Sequence, residues 1–78
     1  MKAEISLVNM EFKRGVVKRI EGGYGFKRHL ACLGIRINKE ISRVTEHPFR
    51  GPVVVEVDGK QIAIGRGMCQ KIFVELEE

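Results

Sequence analysis

The sequence predicts a mostly β fold: a small, strongly bent, partly open barrel of five short strands with one inserted helix. Three observations predict it. The chain has 78 residues, which is one small domain and leaves no room for two cores. Nine glycines and two prolines cut it into short pieces, favouring strands over long helices. Between these stops, β-branched residues recur with a period of two. Short strands in so small a domain bury most of their edges by curling the sheet.

The first strand is read from Gly15 to Ile20, where Val16, Val17 and Ile20 are β-branched. A helix follows, from Tyr24 or Gly25 to Leu33, because Phe26, Leu30 and Leu33 fall at i, i+4 and i+7 on one stripe. Gly34 stands where a left-handed cap ends a helix. Glu40 to Thr45 reads as a strand whose imperfect alternation predicts a bulge. Val53, Val55 and Val57 share one face of the next strand. Asp58-Gly59 is a two-residue turn signal, and Ile62 and Ile64 lie on the return strand. A single helical turn is predicted over Gly67 to Gln70, then a last strand with Ile72, Val74 and Leu76 on one face. The expected core contains Phe26, Leu30, Leu33, Val55, Val57, Ile62, Ile72 and Val74.

Hydrophobic residues make up 44% of the chain and charged residues 31%, proportions of a folding domain and not of a disordered tail. No apolar run approaches the roughly eighteen residues of a membrane span, so no membrane insertion is expected. The start, MKAEISLVNME, lacks the apolar centre of a signal peptide, and a cytoplasmic location is expected. In that compartment Cys32 and Cys69 should be free thiols.

Charge is unevenly spread. From Lys13 to Arg43 nine basic residues face only Glu21 and Glu40, a balance of +7, while the remainder of the chain balances at −3. Such asymmetry suits a negative partner, whether nucleic acid, lipid headgroups or an acidic protein surface; it also suits a plain solvated face. The readiest partner-binding candidates are Lys27, Arg28 and Arg36, on or just after the helix and outside its apolar stripe.

Motifs for chemistry are weak. Gly22-Gly-Tyr-Gly25 before Lys27-Arg28 resembles a phosphate cradle but lacks the Gly-Lys-Ser/Thr ending and the GxGxxG spacing. It also fits the GXXG of RNA-binding KH domains, although that loop joins two helices and here a strand precedes it. A loop needing glycine for its turn explains it better. His29 and Cys32, three apart on a helix, could share a metal ion, with His47 and Cys69 the remaining candidates. The close second pair of structural zinc sites is missing, so no metal and no cofactor are expected. Neither Ser6 nor Ser42 sits in a nucleophile motif, and Tyr24 alone makes a thin base-stacking platform. Binding, not catalysis, is the expected mode of action, and the chain is not expected to be an enzyme.

Five segments in register resemble the FeoA family, ferrous iron transport protein A: Gly15-Val-Val-Lys-Arg-Ile20, His29-Leu-Ala-Cys-Leu-Gly-Ile35, Gly51-Pro-Val-Val-Val-Glu-Val57 with Asp58-Gly59, Ile62-Ala-Ile64, and Cys69-Gln-Lys-Ile-Phe-Val74. His29 stands where the family pattern has Arg, Arg14 where it has Pro, and Ile37-Asn38 where it has Pro-Gly. Asn38 tolerates the left-handed conformation that the glycine would supply. Cys69 takes the place of a small, buried alanine. The resemblance implies a single SH3-like domain over residues 5–77, a five-stranded β-barrel with one inserted helix. It further implies a cytoplasmic accessory protein of ferrous iron uptake that binds the cytosolic, GTPase-bearing region of an FeoB-type membrane transporter. A free-standing module like the SH3-like domain of metal-dependent repressors, binding protein or metal, and a nucleic-acid accessory protein using the basic segment are the alternatives. Nucleic acid is not the expected partner.

Overall fold

A computed structural model describes residues 4–10, 14–44 and 52–76. In chain order it contains β1 (Glu4–Ser6), a 3-10 turn (Leu7–Asn9), β2 (Arg14–Ile20), α1 (Tyr24–Cys32), β3 (Glu40–Arg43), β4 (Val53–Val57), β5 (Lys60–Ile64), α2 (Arg66–Cys69) and β6 (Ile72–Leu76). All pairings are antiparallel, in the order β1-β6-β2-β3-β4-β5. The sheet is SH3-like and bent but not closed, since β1 and β5 are its two ends. Among the described residues six strands stand in place of the expected five. The addition is β1, three residues long with one apolar side chain, too short to show a period.

The hairpin forms as its residues dictate. Val57 pairs with Lys60, and the two turn residues Asp58 and Gly59 take φ of 54° and 78°, the positive values of a type I′ turn that matches strand twist. The bulge lies elsewhere than expected. It falls in β2, where Val17 pairs with Val74 and Arg19 with Phe73, leaving Lys18 unmatched. The extra residue puts Lys18 and Arg19 both in solvent and returns Ile20 to the core, while β3 pairs regularly. Within β3 the expected last residue, Thr45, lies outside the described residues.

The core joins Leu30 from α1 and Cys69 from α2 to Val17, Ile20, Ile41, Val53, Val55, Val57, Ile64, Ile72 and Val74 from the strands, with Leu7 from the 3-10 turn and Met10 and Ile35 from the connections. Of the eight expected core residues, Leu30, Val55, Val57, Ile72 and Val74 are buried; Phe26, Leu33 and Ile62 are half-buried and pack against them. Lys71 Nζ lies 5.4 Å from the centroid of the Phe26 ring, covering its outer side. Gly15 is needed where β2 runs between β3 and β6, because a Cβ there would sit 3.1 Å from the Glu75 carbonyl oxygen.

Candidate partner-binding surface

The end of α1 shapes this surface. After the C-cap Leu33, Gly34 turns the chain at φ 92°. The Ile35 N–H then bonds the Leu30 carbonyl at 2.9 Å and the Gly34 N–H bonds that of Ala31 at 3.0 Å, a Schellman cap. The accompanying apolar contact joins Ile35 to Leu30 in the core. Two residues later Asn38 takes φ 72°, as the sequence expects of an asparagine standing for glycine. Its N–H donates to the Val17 carbonyl at 2.7 Å, and the Val17 N–H donates to that of Lys39 at 2.9 Å. Residues 35–39 are thereby tied to both helix and sheet, and Arg36 and Ile37 are held outward.

Between helix and segment lies a groove of about 190 Å³ lined by Ile20, Lys27, Ala31, Ile35, Arg36 and Ile37. Its floor is aliphatic and its charged members are both cations. Ile37 is 50% exposed and Tyr24 78%. On the helix, Tyr24, Lys27, Arg28 and Ala31 stand at i, i+3, i+4 and i+7, one continuous face away from the Leu30 stripe. The structure therefore brings Lys27 and Arg36 together at the groove and leaves Arg28 beside it on the exposed helix. No ion pair involves these three among the described residues. The apolar members of the groove escaped the sequence reading. Ile37, an isoleucine between Arg36 and Asn38 in a connection, was the available signal.

The +7 segment does not present all its charge to solvent. Arg19 pairs with Glu4 at 3.2 Å and with Glu21, and its guanidinium lies 4.1 Å from the centroid of Phe73. Lys39 pairs with Asp58 at 2.8 Å. Arg43 donates to the carbonyls of Val8 and Met10, pinning the N-terminal turn. Lys13 lies outside the described residues. A second cleft, about 350 Å³, is lined by Arg14, Lys39, Glu40, Ser42, Glu56, Asp58 and Gly59, with both signs of charge facing each other.

The residues considered for metal binding separate by burial. His29 and Cys32 are exposed, His47 lies outside the described residues, and Cys69 is fully buried. Cys69 Sγ is 3.8 Å from the Ile64 carbonyl oxygen, to which it donates. Burial pushes its thiol up from 9.0 to about 11, against the opposing pull of Arg43 and Arg66. Among the described residues no group of three His, Cys, Asp or Glu side chains is placed to hold a metal ion. The glycine loop has a steric reason. Gly22 takes φ 136°, and a Cβ there would meet the Phe26 ring at 2.7 Å.

A family model described as the FeoA domain matches residues 10–76. A protein of Methanocaldococcus jannaschii named as an Fe(2+) transport protein A is 38% identical over 60 residues, covering 77% of this chain and 71% of that one. Among solved structures, an iron uptake regulatory protein, FeoA, superposes with a TM-score of 0.89 at 28% identity, over 96% of this chain and 100% of that one. A manganese-dependent transcriptional repressor superposes with a TM-score of 0.86 at 22% identity, over 99% of this chain but 44% of the repressor. At that identity the likeness is one of fold. A match over residues 10–76 together with 38% identity to a named relative settles the family: the chain belongs to the FeoA family of ferrous iron transport accessory proteins.

Proposed function

We propose that this chain acts in the cytoplasm as a regulatory partner of a membrane ferrous iron transporter, binding the cytosolic, GTPase-bearing region of an FeoB-type protein. Its action is association, not catalysis. Family membership supplies the pathway. The observation that carries the contact is the outward face of α1, where Lys27 and Arg28 continue to Arg36 across a pre-shaped apolar groove. Cations around an aliphatic recess suit an acidic protein face, with charge guiding the encounter and the recess holding it. The nucleic-acid reading is less well served, because Arg19, Lys39 and Arg43 are engaged within the fold. No helix among the described residues is long and apolar enough to cross a membrane.

A pull-down with the purified cytosolic region of the cognate transporter tests the reading. Retention of the chain at low salt, weakened by added salt, is the expected result. No retention in the presence of either guanine nucleotide would refute it.

A further inference from the structure

We propose that the groove between α1 and residues 35–37 receives a short acidic protein segment that inserts one aliphatic side chain. The aliphatic group enters over Ile20 and Ile35, and carboxylates flanking it pair with Lys27 and Arg36. The proposal rests on the transporter-binding reading and names the element by which such a partner is held.

Charge complementarity identifies the occupant. Of the six lining residues four are apolar, the other two are cations, and none is a carboxylate. An anionic group at the rim therefore meets attraction from both sides and no like charge from the lining. The volume, about 190 Å³, suits a single inserted aliphatic side chain. Ile37, half out in solvent, forms a lip that such a side chain would cover. Arg28, one helix position beyond Lys27, extends the cationic rim for a further carboxylate.

The groove is also preformed. The Schellman cap fixes the end of α1 and the Asn38–Val17–Lys39 hydrogen bonds fix the facing segment. Little ordering is left to offset binding. A bilayer surface is less well matched, because beyond the projecting Ile37 and Tyr24 the apolar area is recessed, with Ile20 and Ile35 forming a floor below the charged rim.

The test uses the full chain, isotope-labelled, and two probes. The first is a synthetic peptide with a central leucine flanked by glutamates, followed by amide chemical shifts; the second is the purified cytosolic region of the cognate transporter. The peptide should shift Lys27, Ala31, Ile35, Arg36 and Ile37, and changing its leucine to serine should weaken binding about tenfold or more. For the cytosolic region, Ile37→Asn and the double change Lys27→Glu with Arg36→Glu should each weaken binding about tenfold or more. Arg14→Glu, exposed at the opposite end of β2 from Ile20, should change it less than about twofold. Thermal melts of the variants close to wild type would exclude unfolding as the cause.

Shifts centred elsewhere, or equal affinity for leucine and serine peptides, would overturn the groove proposal whether or not the transporter region binds. A transporter region that binds every variant alike would overturn it too while leaving the functional reading intact. Failure of that region to bind wild type, with the peptide still seated in the groove, would overturn the functional reading instead. Binding of phosphatidylglycerol vesicles through the same residues, with no peptide shifts, would assign the groove to lipid.

Discussion

Leu30 is the one fully buried residue of α1, and with half-buried Phe26 beside it the side chain anchors the helix to the core. Leu30→Ala should cost about 2 to 5 kcal/mol, the lost transfer energy plus a cavity. A domain of this size has about 5 kcal/mol or little more to lose, and an unchanged denaturation midpoint would contradict the packing. Cys69 makes a pH prediction. Below pH 9 its thiol is protonated in both folded and unfolded chains. Between 9.0 and about 11 the unfolded thiol ionises first, so the unfolded state sheds its proton earlier and stability falls as pH rises. Urea midpoints at pH 8 and pH 10.5 should fall further for wild type than for Cys69→Ala. Cys32, exposed, should react with iodoacetamide in the folded protein while Cys69 stays protected. Single residues were legible where they sat in periodic segments, as Val55, Val57, Ile72 and Val74 did. Leu7 and Met10 are fully buried yet lie in an irregular stretch, where burial comes from the chain path and leaves no period to read.

Among the elements, α1 was legible because both its stripe and its stop are local. It runs Tyr24–Cys32, within a residue of the expectation at each end, and α2 runs Arg66–Cys69 against an expected Gly67–Gln70. Gly34→Ala should destabilise by at least about 1 kcal/mol, because φ 92° is strained for any residue with a Cβ. Chemical denaturation would read it, and no change would mean the cap relaxes. The same substitution should loosen the groove wall, since the Ile35 and Gly34 hydrogen bonds set its position. The bulge was misplaced because alternation in Glu40–Thr45 looked broken, whereas the register shift depends on β6, which is distant in sequence. The groove was illegible for a related reason. Ile20, Ala31 and Ile35 belong to a strand, a helix and a connection, and only the folded chain shows that they share a wall. Charge needs no such assembly, and Lys27, Arg28 and Arg36 stood out in the sequence.

At the scale of the whole molecule, the exposed cations should act on encounter more than on folding. Reversing Lys27 and Arg28 to Glu should lower the association rate with the transporter's cytosolic region at low salt, with the difference shrinking as salt rises. The melting temperature should hardly move, since exposed charges contribute little to stability. Stopped-flow rates at two ionic strengths decide it; equal rates for mutant and wild type at both would return this face to plain solvation. The sheet order has its own consequence for how the protein comes into being. The final strand, β6, lies between β1 and β2, and β1 pairs with it alone among the described residues. During synthesis the earliest strand therefore waits without a neighbour until residues 72–76 emerge. Joining Gly15 to Leu76 closes a loop of nearly the whole chain, and folding on the order of milliseconds to seconds follows from contacts so far apart in sequence. A chain released before Ile72 would lack the strand that joins β1 to the rest, leaving β1 unattached and β2 with a bare edge for quality-control proteases to find.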